Sequence, residues 1–167
     1  ILTNREDLIQ RVSTFIDHGR SKKHQNDTLG TNFRLSEIQC GIGRIQLKHL
    51  DNWVARRNEI AARYNTAFSA LPHIKSPKVR LGATHAWHQY TIRVGEREKT
   101  VDKMRELGIG CGIYYPHLVF EYPHLRKFSR NCPNAEKIVS EVLSLPVHAG
   151  LSETEVSEVA QATLSSV

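Results

Sequence analysis

Cysteine is scarce in this chain. Its three copies, Cys40, Cys111 and Cys132, are odd in number and far apart. No CxxC pair and no Cys/His spacing of a zinc site accompanies them, which speaks against a disulfide framework and a structural metal. A reducing cytoplasm is the compartment this predicts. Long apolar runs are missing too. No stretch approaches the roughly 20 apolar residues of a membrane span, so no membrane partner is expected. Ile1-Leu2-Thr3-Asn4 leads straight into charged Arg5-Glu6-Asp7, which is not the pattern of a secretory signal. Aromatic residues make up only 7%. The one dense basic run, Arg20-Ser21-Lys22-Lys23-His24, has none between its cations, and this argues against a stacking platform for nucleic acid. Catalytic signatures are also absent: there is no GxGxxG or Walker loop, no GxSxG elbow, and no HExxH or HxxxH frame among nine histidines.

What remains is an ordinary globular composition. The 167 residues are 40% apolar and 24% charged, enough for one domain with a core. The formal charge of +6 favours anionic partners such as phosphate-bearing small molecules.

Periodicity gives the elements. Ile1-Leu2-Thr3 reads as a strand end, and Asn4 as the cap of a helix carrying Leu8, Ile9, Val12, Phe15 and Ile16, with Gly19 as its stop. Residues 20–31 are polar and aperiodic and read as a mobile loop. Ser36-Glu37-Ile38-Gln39 is a capping box. From Glu37 to about Ala70 there is no proline, so a single helix of about 50 Å is predicted, with a break near Leu50-Asp51-Asn52 as the alternative. Trp87 to Val94 alternates as a strand, Lys99 to Leu107 is a short helix, and Cys111 to Tyr115 is a second strand. Pro133 opens a helix that buries Ile138, Val139 and Val142; Leu145-Pro146-Val147 is a short edge segment. Ser152-Glu153-Thr154-Glu155 caps a terminal helix. Few strands separated by helices predict an α+β fold: a long helix plus a small, mainly antiparallel sheet covered by helices.

Three local features carry chemistry. In Gly30-Thr31-Asn32-Phe33-Arg34, an amide and a guanidinium stand just ahead of a helix entry, where an anion is favoured; a salt bridge from Arg34 to Glu37 is the plainer reading. In Gly112-Ile113-Tyr114-Tyr115-Pro116-His117, polar aromatic residues gather at a strand end. Leu145 to Ser152 is a tight turn with a structural role. None of these completes a catalytic constellation.

Taken together, Asn32-Phe33-Arg34-Leu35-Ser36-Glu37-Ile38-Gln39 with Gly41, the Leu47 to Tyr64 helix, Trp87-His88-Gln89-Tyr90, Tyr115-Pro116 and Leu143-Ser144-Leu145-Pro146 resemble the blocks of the DegT/DnrJ/EryC1/StrS sugar aminotransferases. The resemblance covers essentially the whole chain. It implies the C-terminal portion of a fold-type I pyridoxal-phosphate enzyme that forms a homodimer and moves an amino group from an amino-acid donor to a nucleotide-linked keto sugar. In this reading residues 1–34 are the tail of the large cofactor domain, 35–71 a long connecting helix, and 72–167 a small C-terminal α+β domain. The Schiff-base lysine of the family lies upstream of Ile1, and Lys22 and Lys23 are outside its motif, so the chain contributes no catalytic residue and is expected to be inactive alone. A start at Ile rather than Met agrees with excision from something longer. The resemblance implies that Asn32 reaches the cofactor phosphate of the neighbouring subunit with Arg34 nearby, and that Tyr115 and His117 face the sugar or nucleotide. Here Tyr114 stands where the family has a histidine. A free-standing module that dimerises or binds phosphorylated ligands is the alternative function.

Overall fold

An acidic first turn followed by apolar residues at threes and fours makes the first helix, α1 (Glu6–Ile16), with Glu6 and Asp7 at the positive end of its dipole. The computed structural model describes residues 1–167, which divide into two compact units, Ile1–His49 and Leu50–Val167.

In the first unit the cap position of α1 falls on Arg5 rather than Asn4. Ile1 and Leu2 are fully exposed and form no strand, because no other strand runs alongside them. Gly19 ends the turn after α1 at φ +70°, donating its N–H to Thr14 at 2.8 Å. A Cβ there would fall 1.7 Å from the Thr28 carbonyl oxygen, so only glycine lets the two strands of chain meet. Beyond it, the segment expected to be a mobile loop is a hairpin: β1 (Arg20–Lys22) pairs antiparallel with β2 (Gln25–Asn26). Its polar side chains bond each other. Ser21 and Gln25 both donate to Asp27, and these two hydrogen bonds hold the Asp27 carboxyl below its ordinary value.

The helix α2 (Glu37–Leu47) carries the capping box read from the sequence. The Ser36 hydroxyl accepts the Gln39 N–H at 3.3 Å, and the Gln39 side chain accepts the Ser36 N–H at 2.9 Å. The helix does not run on to Ala70. The N–H groups of Lys48 and His49 turn back to the Ile45 and Gln46 carbonyls, three residues earlier, and these tighter bonds end it at Leu47. Neither α1 nor α2 buries a residue completely within this unit.

The second unit opens with α3 (Leu50–Phe68), which buries Ile60, Ala61, Tyr64 and Phe68 on one face. Strands β3 (Tyr90–Arg93) and β4 (Val142–Leu145) pair antiparallel, Tyr90 opposite Leu145 and Arg93 opposite Val142. Single bridges widen this ladder on both sides, Lys75 to Arg93 and Gly112 to Ser144. Tyr90, Ile92, Leu143 and Leu145 meet Met104 of α4 (Arg97–Glu106), Val156 and Val159 of α6 (Glu153–Ser166), and the buried face of α3 in one core. The fold is α+β, as the sequence predicts.

Three local expectations change. The stretch Cys111–Tyr115 enters the sheet only at Gly112. The strand read as an edge at Leu145–Val147 starts earlier and lies inside the sheet; Pro146 follows its last residue, where no ladder donor is required. Ile138, on α5 (Pro133–Glu141), is 40% exposed rather than buried.

Helix α3 fastens the far end of the chain. Tyr64, with no exposed surface, donates its hydroxyl to the Pro146 carbonyl at 2.8 Å, and the Tyr90 hydroxyl donates to Asn65 at 2.7 Å. Arg56 donates to the Leu151 carbonyl at 2.8 Å and to Glu153, which also receives Arg63. Ser152 and Glu155 form the second capping box.

Tyr64→Phe should lower the stability of this unit by about 1 kcal/mol, the usual worth of one neutral hydrogen bond; urea unfolding with an unchanged m-value checks it. A second test concerns acid. Glu155 is held below its ordinary value of 4.5 first by the Ser152 N–H and then by the Ser152 hydroxyl. A depressed folded value gives stability that is full above 4.5 and is lost as pH falls through the folded value. Glu155→Gln keeps the box without the charge, so the difference in urea midpoint between the native chain and this variant should shrink on acidification.

Candidate functional site

The return of the chain after the hairpin is what places Asn32. Thr31 donates its N–H to Phe15 at 2.8 Å and Phe33 donates to Ile16 at 3.1 Å, so residues 31–33 lie extended along the end of α1 and Asn32 bridges to Asp17. Arg34 then donates its Nε to the Asn32 side-chain oxygen at 3.5 Å and approaches the Asp17 carboxylate, also at 3.5 Å. Its partner is therefore Asp17 and not Glu37. Asn32, Arg34 and the entry to α2 follow one another along an exposed surface. An amide, a guanidinium and a helix start form a donor set that suits a phosphate. Asp17 belongs to this cluster and went unread in the sequence, since nothing in its local pattern tells of a partner seventeen residues on.

Lys22 and Lys23 sit on the hairpin, both exposed. No group of three or more His, Cys, Asp or Glu side chains gathers as a metal site.

Tyr115 and His117 belong to the second unit, Asn32 and Arg34 to the first. Tyr115 takes φ +58°, a region a bulky residue rarely enters, and is 84% exposed. His117 is exposed, with Nδ1 3.5 Å from the Glu121 carboxylate, which in turn accepts the Leu118 N–H at 2.8 Å. Two short 3₁₀ turns follow, Val119–Glu121 and Pro123–Phe128, and Tyr122 meets the His117 ring edge-on. Burial pushes the Cys111 thiol above its ordinary value.

The Trp87 block is held from α3. Trp87 takes φ +45°; its N–H donates to His85 Nδ1 at 2.9 Å and its indole N–H to Asn58 at 3.0 Å, while Asn58 donates to the His85 carbonyl at 2.9 Å. The turn 145–152 is structural, as expected: α3 occupies its Pro146 and Leu151 carbonyls.

This arrangement has counterparts of known structure. The crystal structure of S. venezuelae DesV in complex with a ketimine intermediate superposes with a TM-score of 0.92 at 31% identity, over 96% of this chain and 44% of that one. A DegT DnrJ EryC1 StrS aminotransferase from Brucella abortus superposes with the same TM-score at 27% identity, over 98% of this chain and 44% of that one, so the class is that of the aminotransferases. The chain belongs to the DegT/DnrJ/EryC1/StrS aminotransferase family, whose model matches residues 1–164. Among curated relatives, dTDP-3-amino-3,6-dideoxy-alpha-D-galactopyranose transaminase of Aneurinibacillus thermoaerophilus is 37% identical over 97% of this chain and 45% of its own length. The erythromycin biosynthesis sensory transduction protein of Saccharopolyspora erythraea is 34% identical over 91% of the chain and 42% of its own. The chain thus spans less than half the length of the curated relatives it matches. No helix is long and apolar enough to cross a membrane.

Proposed function

We propose that this chain is the C-terminal part of a pyridoxal-phosphate-dependent aminotransferase that delivers an amino group from an amino-acid donor to a nucleotide-linked keto sugar, and that it is inactive by itself. The observation that carries this reading is the family match over residues 1–164, in which the Asn32 to Gln39 signature forms the entry to a helix closed by a capping box. Relatives named as dTDP-amino-sugar transaminases supply the substrate class.

When bound, pyridoxal phosphate supplies the electron sink for the chemistry. This chain's own contribution is binding and orientation. Asn32 would donate its amide N–H to a phosphate oxygen of the neighbouring subunit's cofactor in a homodimer, and Arg34 would lend the positive charge, with Asp17 holding the guanidinium in place. Tyr115 and His117 would meet the substrate, His117 being oriented by Glu121. Neither Lys22 nor Lys23 lies in the family's cofactor motif, and both stand in water on the hairpin. The same fold as a non-enzymatic module is the second reading, favoured by relatives with regulatory names, among them a pleiotropic regulatory protein 34% identical to this chain.

Incubation with pyridoxal phosphate and reduction with borohydride should leave no single lysine stoichiometrically labelled in the mass spectrum. A stoichiometric pyridoxyl group on one lysine would overturn the inactivity of the chain. In the longer enzyme, Asn32→Ala should raise the dissociation constant for pyridoxal phosphate about tenfold or more, since hydrogen bonds to charged groups are worth about 1.5–3 kcal/mol. An unchanged constant would remove Asn32 from the phosphate site.

A further inference from the structure

The second unit carries a groove of about 310 Å³ where α4 meets the end of α6. One stripe of α4 forms a wall of it: Glu96, Lys99 and Lys103 recur at a spacing of three and four, as side chains on one helix face do. His73, from the turn after α3, and Ser166, from the last turn of α6, also line it. None of these residues belongs to the family blocks or to the two clusters described above.

Ser166 is the exception on its helix. Ser157, Thr163 and Ser165 each donate back to a carbonyl one turn earlier, at 2.9, 2.8 and 3.0 Å. Ser166 is 3% exposed, yet its hydroxyl has no hydrogen-bond partner. Buried hydroxyls are ordinarily bonded, so this one is an open donor at the groove. Beside it, Lys103 uses one of its three N–H donors on the Ser166 carbonyl at 3.4 Å, which leaves two donors and the charge for another partner. The carboxylate in the lining does not cancel that charge, because Glu96 is taken by Lys99 at 2.7 Å.

Helix α4 adds amides. Its first internal bond runs from the Thr100 N–H to the Glu96 carbonyl at 3.0 Å, and the Thr100 hydroxyl donates to the same oxygen at 3.1 Å. The Glu96 side chain makes no capping bond. The N–H groups of Arg97, Glu98 and Lys99 are therefore left over at the positive end of the helix dipole.

We infer that this groove binds a phosphate group. An ammonium, an enclosed hydroxyl and an uncapped helix start are all donors, and what they lack is an anion that accepts from several sides. A phosphate offers three or more acceptor oxygens, whereas a carboxylate offers two. A neutral ligand would leave Lys103 unanswered. The apolar side chains of Val94 and Val167 also line the groove, which leaves room for a small organic substituent on the phosphate. The site is separate from the cofactor phosphate, since Asn32 and Arg34 belong to the first unit. It also stands apart from the aminotransferase reading and does not depend on it.

Backbone amide NMR of the ¹⁵N-labelled chain at constant ionic strength, titrated with inorganic phosphate and separately with methyl phosphate, tests it. Saturable shifts at Gly95, Lys99, Lys103 and Ser166 are the expected result. Lys103→Gln, its fold checked in the same spectrum, should weaken binding about tenfold or more, the loss of a hydrogen bond to a charged group. Ser166→Ala should weaken it about three- to tenfold. That variant should leave the urea midpoint of the free chain unchanged, because the hydroxyl has no partner there to lose. Tighter binding of methyl phosphate would support the site with an organic monoester as its ligand; equal or weaker binding would support it with the free ion. Shifts that do not saturate, that chloride alone reproduces, or that either variant leaves intact overturn the site. Shifts confined to Asn32 and Arg34 do the same.

Discussion

The Tyr64 hydroxyl and the Pro146 carbonyl it holds link the middle of α3 to the turn that follows β4. Tyr64 is wholly buried, with the Phe68 ring stacked at 6.0 Å and the Tyr90 ring edge-on at 5.1 Å. Anchoring that turn sets where β4 runs. The position of β4 sets the pairing with β3, and Ser144 on β4 sets where Gly112 joins. Tyr114 and Tyr115 follow immediately from Gly112. A buried aromatic residue on a helix thus determines the placement of exposed aromatic residues fifty positions away. Burial also pushes the Tyr64 phenol well above its ordinary value, which keeps the hydroxyl protonated as a donor to Pro146 at neutral pH.

The two candidate clusters differ in how they are supported. Tyr114 and Tyr115 are positioned by a packed sheet. Asn32 and Arg34 are positioned by backbone hydrogen bonds to the end of α1 and by Asp17, on a unit whose helices leave Ile38, Ile42 and Ile45 more than half exposed. Hydrogen bonds on an exposed surface fix direction, but each is worth little against water. Asn32 and Arg34 therefore stand on the less firmly packed part of the chain, and Tyr114 and Tyr115 on the firmer part.

Much of this was legible in the sequence because the signals were local. The Ser36 and Ser152 capping boxes need only four residues each, and both formed as read. The proline-free run after Glu37 marked the residues of α2 and α3 as helical, and the alternative break near Leu50 is where the two helices part. What escaped was set by partners distant in the chain. The hairpin at 20–26 depends on Gly19 meeting Thr28 and on two polar side chains, Ser21 and Gln25, sharing Asp27, none of which produces an apolar alternation. The inner position of β4 was hidden by Pro146, which marks an edge only when it falls within the ladder. The hydrogen bond between the Thr91 and Ser144 hydroxyls joins residues 53 apart in sequence, and the Asp17–Arg34 pair joins two ends of a closed loop. The family signature found Asn32 and Arg34, but it could not show which carboxylate would face them.

The contact of Arg56 with Glu153 spans 97 residues, and its bond to Leu151 spans 95. On a ribosome, α3 would emerge and wait. Its apolar face has no β4 and no α6 to cover it until almost a hundred further residues have been added, several seconds at about 5–20 residues per second. The helices can form as they appear, but the sheet whose inner strand arrives near the end cannot. The second unit is therefore built to close late and all at once, and a nascent chain paused before Val142 would present Ile60, Tyr64 and Phe68 to whatever binds exposed apolar surface in the cell.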